Sequence, residues 1–302
     1  LADSKHNLQV IYSGKNIILH NQTEASFFAE REDGSIVFAR INGVCLHYRH
    51  EPAPGRPVLV FINSLGTDFR IWQDVADRLA GQFGFLFYDK RGHGLSELDD
   101  APVSIETYAA DLAGLLDHLG IARVTLCGLS IGGLIAQSLY KKRPDLVDRL
   151  ILCDTAAKIG TVQSWNDRIA ATLSTGIASF ANGVMEKWFT PHFHRHRSAD
   201  LAGYKTMLSR QLPAGYAAAC AAIRDADYSA AAPAIAVPTL VVVGDQDGST
   251  PPDLVRGLAE AIPGARFEII AGAGHIPCVE QPEGLSALIA DFMTDNRDGR
   301  LT

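Results

Sequence analysis

Three residues far apart in this 302-residue chain can do hydroxyl chemistry if the fold brings them together. Ser130 stands in Gly128-Leu129-Ser130-Ile131-Gly132. A serine hydroxyl is a weak nucleophile at neutral pH and needs a base beside it. His275 fits that role, because Ala271-Gly272-Ala273-Gly274-His275 is a glycine-rich loop that can carry an imidazole over strand ends. The imidazole needs an acid to fix its tautomer and stabilise its protonated form. Gly244-Asp245-Gln246-Asp247-Gly248 offers two carboxylates. We select Asp247 and expect Asp245, nearer the strand end, to brace the turn. Two N–H groups must then meet the developing oxyanion. Ile131, next after the serine, supplies one. Leu65, in Asn63-Ser64-Leu65-Gly66-Thr67-Asp68, supplies the other. Each residue alone also reads as a tight turn, a surface histidine or a turn-forming aspartate; their combination favours chemistry.

The elements that must position them are legible from hydrophobic pattern. Arg123-Val124-Thr125-Leu126-Cys127 reads as a buried strand running into Ser130, and Ile131 to Tyr140 as a helix leaving it. Strand, G-x-S-x-G and helix form the setting of a nucleophile elbow, where small residues permit a sharp turn. Ser35–Ile41 and Val44–Tyr48 flank Asn42-Gly43, a two-residue hairpin turn. Further strands are expected at Val58–Ile62, Phe83–Tyr88, Asp148–Cys153, Thr239–Val243 and Arg266–Ile270. Helices are expected over Ile105–Leu119, capped by Ser104, over about Pro251–Ala261, and from about Pro282. This alternation argues for an α/β fold with a mostly parallel sheet. Residues 158–232 break the rhythm, being alanine-rich with no convincing strand, and read as a helical cap. The core is then 35–157 and 233–302. Residues 1–34 form an N-terminal extension to which no role is assigned and which is expected to pack loosely.

Composition narrows the function classes. The chain is 47% hydrophobic and 20% charged, so it can bury a large core. With a net charge of −7 and no basic stripe, nucleic acid is not an expected partner. No run approaches the roughly 18 apolar residues of a membrane span. The N-terminal stretch shows no basic region followed by an apolar block, so no secretory leader is expected there. Cys45, Cys127, Cys153, Cys220 and Cys278 are dispersed with no C-x-x-C spacing, which suggests reduced thiols, a cytoplasmic location and no zinc. Composition leaves a homo-oligomer open.

Two other histidine groups are weaker. His192, His194 and His196 alternate, but alternate residues share a face only in a strand, and no acid or thiol cluster accompanies them; a solvated patch is expected. His93, in Asp89-Lys90-Arg91-Gly92-His93-Gly94-Leu95-Ser96, precedes the serine in the chain and is assigned to a structural turn beneath the site.

The elbow, that turn and the Gly274-His275 loop make the chain resemble the α/β-hydrolase family from about Ile41 to Met293, with the family's chain order Ser, Asp, His. More narrowly, it is similar to the bacterial 3-oxoadipate enol-lactonases. Besides Asn63–Asp68 and Cys127–Ile135, the stretches Leu152–Thr161, Trp188-Phe189-Thr190-Pro191 and Arg224-Asp225-Ala226-Asp227 carry this likeness. Ile131 stands where that family often has methionine, and residues before about Glu32 lie outside its pattern. The resemblance implies an α/β-hydrolase fold, its sheet flanked by helices, with a helical cap insertion. It implies hydrolysis of an unsaturated five-membered lactone to 3-oxoadipate in the β-ketoadipate pathway of aromatic-compound breakdown. No cofactor or metal is implied. The substrate is a small carboxylate-bearing lactone, so a cation is expected where cap meets sheet. Arg168, Arg224 and Lys158 are the candidates, with Trp165 grouped beside them. A general carboxylesterase, a C–C hydrolase and a perhydrolase share the same machinery and differ in the cap. A non-catalytic receptor of this fold is the rival from another class, and the complete set of Ser130, Asp247 and His275 argues against it.

Overall fold

Short, wholly apolar runs in this chain have nowhere to go but between two layers of helix, and there they form strands. The computed structural model describes residues 8–13, 16–21 and 36–294. After a separate antiparallel pair, β1 (Leu8–Ser13) and β2 (Asn16–Asn21), the chain builds one eight-stranded sheet. The hairpin of β3 (Ile36–Ile41) and β4 (Val44–Glu51) turns at Asn42 and Gly43, both at positive φ. Then come β5 (Val58–Ile62), helix α1 (Gln73–Leu79), β6 (Gly84–Tyr88) and α2 (Ile105–His118). A Ser104–Thr107 capping box starts α2. Next are β7 (Val124–Leu129), α3 (Ile131–Lys142) and β8 (Val147–Cys153).

Between β8 and β9 the described chain adds five helices and no strand: α4 (Val162–Thr175), α5 (Ala181–Trp188), α6 (Pro191–His196), α7 (Ser198–Ser209) and α8 (Pro213–Asp225). The sheet resumes with β9 (Thr239–Gly244), α9 (Pro252–Ala261) and β10 (Arg266–Ile270), followed by α10 (Pro277–Glu280) and α11 (Pro282–Thr294).

The strand order is β10-β9-β8-β7-β5-β6-β4-β3. From β10 to β6 every pairing is parallel; the β6–β4 and β4–β3 pairings are antiparallel, so β4 alone runs against the rest. Helices α2 and α3 pack together, as do α1 and α11. Strand β7 is buried along its whole length, as a central strand covered on both faces must be. The chain winds from β5 outward to β6, then returns to β7 on the other side of β5. The carboxyl ends of β5 and β7 therefore flank a topological switch point, where open α/β sheets leave a crevice for ligands. Asn63–Asp68 leaves the end of β5 and Ser130 the end of β7.

The β1–β2 pair is an element the sequence reading passed over; the expectation of loose packing for residues 1–34 otherwise lies outside the described residues. Among the described residues no helix is long and apolar enough to cross a membrane.

Candidate active site

The serine is held by a backbone that only close packing tolerates. Ser130 sits at φ 59°, ψ −117°, a conformation that is strained for a residue with a side chain. Its N–H donates to the Cys153 carbonyl at 2.9 Å, and its own carbonyl accepts from Thr155 Oγ1 at 2.7 Å. The flanking glycines explain how helix and strands approach. A Cβ on Gly128 would lie 2.3 Å from the Gly132 carbonyl oxygen, and one on Gly132 would lie 2.2 Å from that of Ile62. Those contacts seat the first turn of α3 on β5 and β7, with Ser130 at its head.

Asp247 and His275 come from the loops after β9 and β10. His275 Nδ1 lies 2.8 Å from Asp247 Oδ2, with both side chains buried. Asp247 also accepts from the Ser249 N–H at 2.7 Å, the Thr250 N–H at 2.9 Å and Thr250 Oγ1 at 2.6 Å. Burial pushes its carboxyl up, but the attraction and hydrogen bond of His275, with those from Thr250, outweigh it and hold the group below the usual carboxylate range. The histidine loop is pinned too. The His275 N–H donates to the Trp188 carbonyl at 2.8 Å, and the Gly274 N–H to Glu280 Oε2 at 2.8 Å. Thr190 reaches the same Glu280 carboxylate. Asp245 accepts from the Gly272 and Ala273 N–H groups at 2.8 and 3.2 Å, bracing this turn.

Ser130 and His275 border one cavity of about 220 Å³ between the strand ends and helices α4, α5 and α8. Leu65 borders it as well. Ile131 opens α3 immediately behind the serine. Among the described residues, neither the Leu65 N–H nor the Ile131 N–H donates to another protein group. A larger cleft of about 760 Å³ lies between α7 and the turn at Gly94-Leu95, but it contains none of Ser130, Asp247 or His275. Ser130 and His275 both border the smaller cavity.

Two of the four residues expected to bind substrate are in that cavity. Trp165 lines it, anchored by its indole N–H on the Ile159 carbonyl at 2.7 Å. Arg168 lines it with its guanidinium over the Phe180 ring, 4.6 Å from the centroid. Arg224 and Lys158 are elsewhere. Arg224 is spent on Asp225 at 2.7 Å and Asn166 at 2.9 Å, and Lys158 on Asp227 at 3.1 Å. Neither Arg224 nor Lys158 is among the residues that line the cavity. Lys187 takes their place at the cavity wall. The sequence reading missed it, along with Thr250 and Glu280. Thr250 had a local signal, as a hydroxyl three residues after Asp247; Glu280 and Lys187 act across the fold and had none.

One buried acid stands close by. Asp154, at the end of β8 with φ 48°, offers an oxygen within 4.8 Å of those of Asp247 and the ring of His275. Burial first, then the charge of Asp247, pushes its carboxyl well above the ordinary range, which favours its protonated form. The His192–His196 run forms helix α6, where rings 192 and 196 lie 4.5 Å apart and His194 Nε2 turns inward to the Met185 carbonyl at 3.0 Å.

A strand-borne serine at a strained elbow, a histidine–aspartate pair over the same strand ends and a helical cover define a class. The sequence model of the alpha/beta hydrolase fold matches residues 57–282, and the chain belongs to that family. Its hydrolase assignment rests on that fold and on its relatives. The chain is 34% identical over 250 residues to 3-oxoadipate enol-lactonase 2 of Acinetobacter baylyi, covering 83% of this chain and 93% of that one. The crystal structure of the enol-lactonase from Burkholderia xenovorans LB400 superposes with a TM-score of 0.83 at 38% identity, covering 86% of this chain and all of that one. A thermophilic esterase from Thermogutta terrifontis gives a TM-score of 0.80 at 29% identity, over 86% of this chain and 98% of that one.

Proposed function

We propose that this protein is a serine hydrolase that opens 3-oxoadipate enol-lactone to 3-oxoadipate. The observation that carries the catalytic part is the shared cavity of Ser130 and His275, with Asp247 on the far ring nitrogen. Asp247 occupies Nδ1, so Nε2 is left to take the serine proton. Ser130 Oγ attacks the lactone carbonyl carbon as His275 takes that proton. The negative charge that develops on the carbonyl oxygen is met by the N–H groups of Leu65 and Ile131. Collapse of the tetrahedral intermediate breaks the ring C–O bond. The leaving enol oxygen takes the proton back from His275 and the enol tautomerises to the ketone. The product remains bound to Ser130 as an ester. His275 then deprotonates a water, which attacks the ester carbonyl; the bond to Ser130 Oγ breaks, that oxygen takes the proton back from His275, and the acid is released.

The enol-lactonase relatives and the shape of the cavity support the lactone. It is small, walled by Trp165, Trp188 and Ile159, and has Arg168 and Lys187 to face a carboxylate. A cytoplasmic location is part of the same reading, supported by the five free cysteines. A general carboxylesterase is the second reading, favoured by the likeness to the Thermogutta esterase. Rates on freshly generated enol-lactone, followed by its ultraviolet absorbance, against p-nitrophenyl acetate separate the two. The lactonase reading expects kcat/KM for the lactone to exceed that for the acetate ester by at least about 100-fold, since a matched polar subsite discriminates strongly. A preference for the acetate ester would reject it.

A further inference from the structure

We propose that Lys90 holds and polarises the peptide unit that presents the Leu65 N–H to the oxyanion, and so acts as a positioning residue for the oxyanion hole. The inference rests on the serine-hydrolase reading of the site. Lys90 is 1% exposed, and its Nζ donates to the Ser64 carbonyl at 2.7 Å, with the Asn63 carbonyl at 3.4 Å. Among the described residues it forms no ion pair. Burying an ammonium on carbonyls alone carries a penalty of several kcal/mol, which a methionine of similar volume would avoid.

What the charge does there follows from the geometry of one amide. The Ser64 carbonyl and the Leu65 N–H belong to the same peptide plane, and no peptide bond described here is cis. In a trans peptide the N–H points opposite to the C=O. Pulling the carbonyl down toward Lys90 therefore aims the Leu65 N–H the other way, and Leu65 shares its cavity with Ser130. Thr67 completes the grip, its Oγ1 donating to the same carbonyl at 3.0 Å. A cation on the oxygen of an amide also draws electron density from its nitrogen, making the N–H a better donor by the cooperative polarisation of linked hydrogen bonds.

The groups around Lys90 leave it as the positive charge beneath this loop. His93, fully buried with neither ring nitrogen bonded, is pressed well below its ordinary pKa by burial and by Lys90 itself, so it is neutral. Asp89 is engaged by His47 Nδ1 at 2.6 Å and by the Phe69 N–H at 3.0 Å, and Asp68 by Arg70. Arg91 turns away to Asp99 and Asp111. Burial lowers Lys90 to about 7, with Asp89 and Asp68 pulling the other way. Its proton is therefore lost within the working pH range, which removes the charge but leaves an amine that can still hydrogen-bond.

The test is the second-order rate at which a fluorophosphonate modifies Ser130, in wild type and Lys90→Met, from about pH 6 to about pH 9, on either side of the lysine's titration. Ser130, His275 and Asp247 are the same in both proteins, so the ratio of the two rates isolates Lys90. Wild type is expected to react about 10-fold to 100-fold faster at the acid end, short of the full loss of one oxyanion donor. That ratio is expected to shrink by at least about threefold at the alkaline end, as the polarising charge leaves. A ratio near one, or a ratio that does not change with pH, overturns the inference while leaving the hydrolase intact. Failure of the wild type to be labelled overturns both. Should Lys90→Met not fold, carbon-13 lysine spectra of the wild type serve instead. An oxyanion-mimicking boronic acid bound at Ser130 should raise the titration midpoint of the buried lysine by reciprocal linkage, and an unmoved midpoint rejects the proposal.

Discussion

Asp247 and Asp154 are two carboxyls in one buried corner with opposite fates. His275 and hydrogen bonds hold the Asp247 carboxyl below the usual carboxylate range, whereas burial and Asp247 push that of Asp154 above it. Replacing each by its neutral amide should therefore give opposite outcomes. Asp247→Asn is expected to lower kcat by about 10³ to 10⁴, by removing the partner of the imidazolium. Asp154→Asn is expected to leave kcat within a few-fold at neutral pH, because burial and the Asp247 charge favour the uncharged form of that group. Steady-state kinetics on one substrate check both. Asp154 also sets a slope in stability. Its folded pKa is raised, so above about 4 the unfolded chain releases a proton that the native state keeps, and stability falls as pH rises through that window. The melting temperature of Asp154→Asn minus that of wild type should thus increase as pH rises above about 4; a flat difference would contradict the assignment. Lys90 sets the opposite slope, because its folded pKa is lowered from 10.5 to about 7. Between those values the unfolded chain holds the proton and the native state does not. The stability of wild type relative to Lys90→Met should rise with pH across that interval, by up to about 1.4 kcal/mol per unit, in denaturant titrations of the two proteins.

At the scale of the element, the elbow and the helix before it make contrasting demands. Gly132 lies where any Cβ would strike the Ile62 carbonyl of β5, and backbone cannot yield as a side chain tip can. Gly132→Ala should lose about 1–3 kcal/mol or more through overpacking, and activity should fall with it because Ser130 rides on the same turn. Ser104 caps α2 and is not among the residues that line the cavity. Ser104→Ala should lose about 1 kcal/mol of stability through the missing cap while kcat stays at the wild-type level. Chemical denaturation combined with kinetics separates the two cases. If Gly132→Ala were as stable and active as wild type, the close contact of α3 with β5 would be wrong.

Across the whole molecule, what could be read from the chain is what depends on local pattern. Val58–Ile62 and Arg266–Ile270 are strands in the structure over the same residues expected of them, the first a wholly apolar run inside the sheet and the second a mixed, partly exposed run at its edge. Asn42-Gly43 reads directly as a turn, since both positions require positive φ. Residues 8–21 carried a weaker form of that signal, two short apolar stretches about Gly14-Lys15, and the β1–β2 pair escaped notice. The cavity was legible only in part. Chain order and loop chemistry pointed to Ser130, Asp247, His275 and Leu65. Which cations face the cavity depends on how α4, α5 and α8 turn over the sheet, which no local pattern encodes. Arg168 points in, while Arg224, at the end of α8, meets Asp225 and Asn166 instead. Lys90 was visible in the sequence as part of a turn, but its meaning required seeing which carbonyl it touches.

The measurement that tests the central claim most directly is the rate of ester or lactone hydrolysis by Ser130→Ala, taken beside its thermal unfolding. The account predicts a loss on the order of 10⁴-fold or more, as when one member of a catalytic triad is removed, with cooperative unfolding retained. A Ser130→Ala protein that turns over substrate at the wild-type rate would contradict it.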